Sequence, residues 1–235
     1  MSVSSAKSSP APGSSPKSAG IPTSAKAAPK PTSWAFAEDF VPEPDAASQA
    51  RAESEPLGVI PLSRGAASTL TFLARVVQAK AVVEIGTGAG VSGLALFAGM
   101  QPGGILTSVD VEADHQRQAR KSFLSVGIPT QRFRLIAGSA LTVLPKLSDG
   151  AYDLVFVDGD PLDYADYVDQ GLRLLRHGGV LVVDDVLGHD RTADPASSDD
   201  ETDTVRTALQ SVLENEDLVA TLLPVGNGLL AAVKK

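Results

Sequence analysis

The sequence predicts a doubly wound α/β domain, a mostly parallel sheet with helices on both faces, and three observations predict it. From Ala81 onward, short apolar runs rich in β-branched residues alternate with stretches of helical periodicity, the pattern of successive βαβ units. The run Ala81-Val-Val-Glu-Ile85 leads directly into Gly86-Thr-Gly-Ala-Gly90 and a helical stretch, the strand, glycine turn and helix start of a Rossmann-like nucleotide site. The chain closes on two apolar runs, 218–223 and 229–233, joined by Pro224-Val-Gly-Asn-Gly228, which reads as an antiparallel β-hairpin. Five parallel strands and this hairpin make a seven-stranded sheet, with helices N-terminal to it.

Residues 1–33 consist mostly of Ser, Ala, Pro, Lys and Gly with little apolar surface to bury, so a disordered tail is expected there and a single folded domain over 34–235. Ser33 is the expected N-cap of a short amphipathic segment over 34–40, broken by Pro42 and Pro44. Helices are expected over 45–53 and 64–78; in the second, Leu70, Leu73, Ala74 and Val77 recur at helical spacing. These helices offer a lid or a dimer surface; the simpler alternative is that Trp34 and Phe40 pack on the sheet. Strands are expected at 81–85, 105–110, 132–136, 152–158 and 179–184, with helices at 91–99, 112–126, 139–147 and 164–176. Gly103-Gly104, Gly127, Gly150 and Gly178-Gly179 punctuate them as helix stops or turns. A helix near 203–214 precedes the hairpin, and the acidic run Ser198-Asp-Asp-Glu-Thr-Asp203 is its capped, dipole-stabilised start.

Composition removes several function classes. The chain of 235 residues carries 43% hydrophobic and 20% charged residues and no cysteine, which excludes disulfides, thiolate metal sites and a Cys nucleophile. Four of the 20 basic residues and none of the 28 acidic ones lie in 1–33, leaving the remainder at −12. A body that acidic suits neither duplex nucleic acid nor an anionic membrane. No apolar run approaches the roughly 20 residues of a membrane span, and the N-terminus has neither the apolar core of a secretory signal nor the arginines of a transit peptide. A cytoplasmic location is expected.

The nucleotide is the next decision. Gly88-Ala-Gly90-Val-Ser-Gly93 satisfies the dinucleotide pattern G-x-G-x-x-G, and Asp110 follows about 20 residues on. The turn begins earlier, however, at Gly86, with Glu84 two residues before it. A pyrophosphate gains nothing from that carboxylate, whereas a cationic ligand with an ammonium group does. S-adenosylmethionine carries an ammonium and a sulfonium, which favours the methyl donor over NAD.

With these features in place, the chain resembles the class I S-adenosylmethionine-dependent methyltransferases, and within them the catechol-type bacterial O-methyltransferases, particularly an actinobacterial branch. The resemblance spans roughly 34–235 and rests on Glu84-Ile-Gly-Thr-Gly-Ala-Gly90, Thr107-Ser-Val-Asp110, Tyr152-Asp-Leu-Val-Phe-Val-Asp-Gly-Asp160, Leu174-Leu-Arg-His-Gly-Gly-Val180 and Pro224-Val-Gly-Asn-Gly-Leu-Leu230. It implies that Leu62 edges the donor pocket, that Glu84 lies near the methionine moiety, and that Gly86, Thr87, Gly88 and Ser92 line the donor. Asp110, with Val111 after it, stands where a carboxylate accepts the ribose hydroxyls, and Gly138, Ser139 and Ala140 approach the adenine. A homodimer is a further expectation of the resemblance.

Asp158 and the pair Asp184-Asp185 end the fourth and fifth strands, whose carboxyl ends face one crevice in an open parallel sheet. Three carboxylates meeting there repel one another, and a hard cation, Mg²⁺, resolves that repulsion. It would bind vicinal hydroxyls of a small hydroxylated acceptor and lower the pKa of one. Tyr164 is placed to contact that acceptor, with packing at a helix start as its alternative. Relatives carry a lysine as base where this chain has Pro161, and Asn where it has Asp185. Deprotonation then falls to the metal alone, or to Asp160 or Asp163. His115, His177 and His189 are expected on the surface. The segment from Asp158 to Asp163 is no EF-hand loop, since its glycine and closing Glu are missing. The leading function is a metal-assisted O-methyltransferase; a non-catalytic donor-binding protein and an NAD-dependent oxidoreductase are the alternatives.

Overall fold

A computed structural model describes residues 30–235; the tail expected over 1–33 lies mostly outside the described residues. Three helices come first: α1 (Pro31–Glu38), α2 (Asp45–Ala52) and α3 (Arg64–Val76). Then follow β1 (Ala81–Ile85), α4 (Val91–Gly99), β2 (Ile105–Asp110), α5 (Ala113–Ser125), β3 (Phe133–Ala137), the single turn α6 (Ala140–Val143), β4 (Tyr152–Val157), α7 (Tyr164–Leu174) and β5 (Leu175–Val183). Helix α8 (Asp200–Glu214) and the strands β6 (Leu218–Leu223) and β7 (Leu229–Lys234) close the chain. The sheet order is β3-β2-β1-β4-β5-β7-β6, parallel from β3 to β5, with β7 antiparallel to both its neighbours. The expected seven-stranded doubly wound sheet with an antiparallel hairpin is what forms.

Strand alternation sorts the apolar side chains into two cores, one on each face. Val82, Leu154, Phe156, Val180 and Val182 join α3, α4 and α5 on one face. Val83, Ile85, Val155, Val157, Leu181 and Val183 join α7 and α8 on the other. Burial on both faces is what a β-branched run without alternating polar residues requires.

Several boundaries move for identifiable reasons. Helix α1 starts at Pro31 rather than after a Ser33 cap; the residue before it, Lys30, gives no side-chain cap, and proline's fixed φ suits the first helical turn. α1 buries no residue, and Trp34 and Phe40 belong to neither core cluster. The helix is instead tied down through Glu38, which accepts from the N–H of Gly65 at 2.9 Å and of Gly226 at 2.6 Å. The helix expected at 139–147 is one α-turn followed by a 3-10 turn over Leu144–Lys146, with Pro145 in it. β5 begins four residues before the expected 179, directly at the end of α7. Its register against β4 shifts between Tyr152 and Leu154, and Gly178, at φ +74°, takes up the extra residues as a bulge does. α8 starts at Asp200, three residues early. Asp199 caps it, accepting from Thr202 N at 3.0 Å and Thr202 Oγ1 at 2.8 Å, as the acidic run suggested.

Candidate active site

The sheet winds outward from β1 to β2 and β3, then returns to β4 and β5, so a crevice opens where the direction reverses, at the carboxyl ends of β1, β2 and β4. A cavity of about 300 Å³ lies there. The glycine loop after β1 forms its floor. Gly86 adopts φ +89°, and a Cβ on it would stand 1.9 Å from the carbonyl oxygen of Asp158. Only glycine lets the ends of β1 and β4 approach this closely. Gly90 and Gly93, the later glycines of the dinucleotide pattern, are used for packing: a Cβ on either would meet Phe123 of α5.

Asp110 at the end of β2 ties the loop down. Its Oδ2 accepts from Thr87 N at 2.9 Å and Gly88 N at 3.1 Å, and its Oδ1 accepts from Glu112 N at 2.8 Å. Charge-assisted bonds of this kind are the strong ones, so the donor floor and the candidate ribose acid form one rigid unit. The cavity is lined by the expected Leu62, Gly86, Thr87, Gly88, Ser92, Asp110, Val111, Gly138, Ser139 and Ala140. Glu84 does not reach it. Strand alternation turns Ile85 to the cavity and Glu84 behind the loop, fully buried, where its Oε2 accepts from Ser108 Oγ at 2.5 Å and its Oε1 has no partner. Burial pushes its pKa up to about 7, against hydrogen bonds from Ser108 and Ser92.

Asp158 and Asp160 line the cavity beside the glycine loop; Asp184 and Asp185 are not among its lining residues, and each has a buried Oδ1 without a hydrogen-bond partner. Burial, then the charge of Asp184, holds the Asp158 carboxyl well above the usual range. Asp184 is pushed to about 7 by burial and by Asp185; Asp185 is raised by burial too, opposed by His189, the Asn227 amide and Arg191. Among the described residues, no three His, Asp or Glu side chains stand close enough to form a metal-holding group. The donor set still fits a hard cation: it is all oxygen, and two of its buried oxygens lack any other partner. Asp185 sits at φ +56°, a left-handed position that Asn and Asp tolerate best, so Asp suits the place where the resemblance expects Asn.

Around Pro161 the chain makes a 3-10 turn capped by Asp160, whose Oδ1 accepts from Leu162 N at 3.0 Å. Proline suits that position, having no N–H to leave unpaired. Tyr164, expected to contact substrate, is buried in the core, and its hydroxyl donates to the Asp184 carbonyl at 3.1 Å. Three residues on, Tyr167 lines the cavity and donates to Asp163 Oδ2 at 3.0 Å. His115 also departs from expectation: its side chain is only 18% exposed, it lines the cavity, and its Nδ1 lies 3.2 Å from Asp110. His177 and His189 are exposed, as expected. Val59, Ile60 and Pro61 complete the wall beside Leu62; no motif in that stretch marks it as part of a site.

A seven-stranded sheet of this order with a glycine-floored cavity at its switch point defines a class I methyltransferase fold. A family model described as O-methyltransferase matches residues 48–235. A Mycobacterium tuberculosis protein named as an O-methyltransferase is 45% identical over 201 residues, covering 86% of this chain and 90% of that protein. A Corynebacterium glutamicum structure superposes with a TM-score of 0.79 at 30% identity, covering 85% of this chain and 94% of that one. The O-methyltransferase TomG of Streptomyces achromogenes, solved in complex with SAM and involved in tomaymycin synthesis, gives 0.78 at 28%, covering 87% and 98%. The chain belongs to the O-methyltransferase family.

Proposed function

We propose that this protein transfers the methyl group of S-adenosylmethionine to a hydroxyl oxygen of a small hydroxylated acceptor, catechol-like compounds being the class to test first. The observation that supports this reading is a cavity whose glycine loop is clasped by Asp110 and whose wall also carries Asp158, a carboxyl raised by burial and by the charge of Asp184. Gly86, Thr87, Gly88, Ser92 and Asp110 hold the donor, Ser139 and Ala140 flank its base, and Leu62 closes the edge. The acceptor oxygen attacks the methyl carbon, the carbon–sulfur bond breaks with its electron pair passing to sulfur, and S-adenosylhomocysteine is released. The hydroxyl proton passes to Asp160 or Asp163, each of which lines the cavity and keeps a carboxylate oxygen outside its protein hydrogen bond. Holding the two reactants in line is where most of the rate arises.

Asp158, Asp184 and Asp185 would hold a divalent cation, Mg²⁺ first. When bound, it supplies charge neutralisation and a lowered acceptor pKa. The same reading, on the strength of the resemblance, has the protein cytoplasmic and able to pair as a homodimer. Among the described residues, no helix is long and apolar enough to cross a membrane. The test is calorimetric titration of Mg²⁺ into protein saturated with S-adenosylhomocysteine, with Asp158→Ala as control. Saturable binding lost in the variant supports the cation site. Donor product bound without Mg²⁺ binding would leave a metal-free methyltransferase, or, if no acceptor is methylated, a non-catalytic binder.

A further inference from the structure

Asp110 has less acceptor capacity than a ribose-binding carboxylate needs. An ionised carboxylate offers about four acceptor positions. The N–H groups of Thr87, Gly88 and Glu112 already use three of them. His115 Nδ1, 3.2 Å from both carboxylate oxygens, uses the fourth. Two vicinal hydroxyls arriving at this carboxylate would find it largely occupied. A second acceptor is required, and it stands next to the first.

The carboxylate also fixes the tautomer of the ring. Because Asp110 can only accept, the nitrogen that faces it, Nδ1, carries the proton, and in that tautomer Nε2 is an unprotonated acceptor. Asp110 is the ring's only hydrogen-bond partner among the described residues. The side chain is mostly buried and lines the cavity, as do Val111, Ser139 and Ala140. Its placement follows from the chain: five residues separate it from Asp110, and the first turn of α5 brings the ring back over the end of β2.

We propose that His115 binds the methyl donor directly, its Nε2 accepting a hydrogen bond from one ribose hydroxyl while its Nδ1–H holds Asp110 in the conformation that clasps Thr87 and Gly88. The proposal rests on the methyl-donor reading of the cavity. Asn and Gln separate its two halves: His115→Asn keeps a donor near the Nδ1 position and has nothing at Nε2, whereas His115→Ala loses both. Affinities for S-adenosylhomocysteine and its 2′-deoxy and 3′-deoxy forms, measured by calorimetry, give the test. His115→Asn should weaken S-adenosylhomocysteine about tenfold, the worth of one such hydrogen bond. One of the two deoxy forms should bind wild type and His115→Asn equally, because the hydroxyl that Nε2 receives is gone. His115→Ala should be weaker still, and His115→Gln, whose amide oxygen reaches toward the Nε2 position, should recover part of the loss.

Equal affinity of wild type and His115→Asn for S-adenosylhomocysteine would overturn the proposal. So would a penalty of the same size on both deoxy forms, since that is what a merely structural change produces. Histidine ¹⁵N NMR of the wild type keeps the question open to answer even where a variant fails to fold. Saturation with S-adenosylhomocysteine should move the His115 Nε2 resonance, and an unmoved Nε2 sinks the contact. A wild type that binds no S-adenosylhomocysteine would instead refute the donor reading itself, and the proposal with it.

Discussion

Replacing Glu84 by Gln should change how stability responds to pH, and the size of the change follows from the site. Glu84 is fully buried, with one oxygen bonded to Ser108 and the other unpartnered. Burial pushes its pKa from 4.5 to about 7. The folded state therefore binds this proton more tightly than the unfolded chain does. Stability from this group is fully present below about pH 4.5 and is lost as pH rises through about 7. A rise of that extent corresponds to about 3 kcal/mol. Gln has no proton to lose, so the variant escapes the loss; it also removes the Glu84 charge that helps raise Asp158, a change of the same sign. Urea denaturation at pH 5 and pH 8 measures it: relative to wild type, Glu84→Gln should gain up to about 3 kcal/mol on going to pH 8. A difference that is the same at both pH values would refute the reasoning and place an ionised Glu84 in the folded protein at pH 5.

Three further outcomes are expected. Gly86→Ala combines φ +89° with a Cβ 1.9 Å from the Asp158 carbonyl oxygen; it should cost upward of about 4 kcal/mol and lower the melting temperature by about 10 °C or more, and a wild-type melt would show that the loop and β4 are not locked together. Tyr164→Phe removes the hydroxyl that donates to the Asp184 carbonyl, and should cost about 1 kcal/mol in denaturation with the acceptor KM unchanged; a raised KM would restore Tyr164 as a substrate contact. Because Asp184 carries a proton up to about pH 7, a cation at this site must displace it, so Mg²⁺ affinity by calorimetry should be higher at pH 8 than at pH 6, and equal affinities would argue against Asp184 as a ligand.

What the sequence disclosed and what it hid divide along physical lines. β1, β2 and the hairpin strands were legible because their side-chain pattern is local and their ends carry glycines with positive φ. The carboxyl-end placement of Asp110 and Asp158 followed from the alternation of strands and helices. Details that depend on where a side chain turns were not legible. Tyr164 and Tyr167 are three residues apart on α7, and nothing in the spelling tells which packs under β5 and which faces the cavity. Glu84 is a different case: counting alternate residues along β1 from Ile85 shows that it must face away. His115 was hidden because a ring five residues past Asp110 returns to it only through the turn between β2 and α5. The early start of β5 was hidden by the bulge at Gly178, which looks in sequence like a helix stop.

The most direct test of the central claim is to titrate wild-type protein separately with S-adenosylhomocysteine and with NADH, and to repeat both with Asp110→Ala. Saturable binding of S-adenosylhomocysteine, weakened in the variant and with no binding of NADH, is the predicted result. Binding of NADH with none of S-adenosylhomocysteine would contradict the claim and return the glycine loop to the dinucleotide reading.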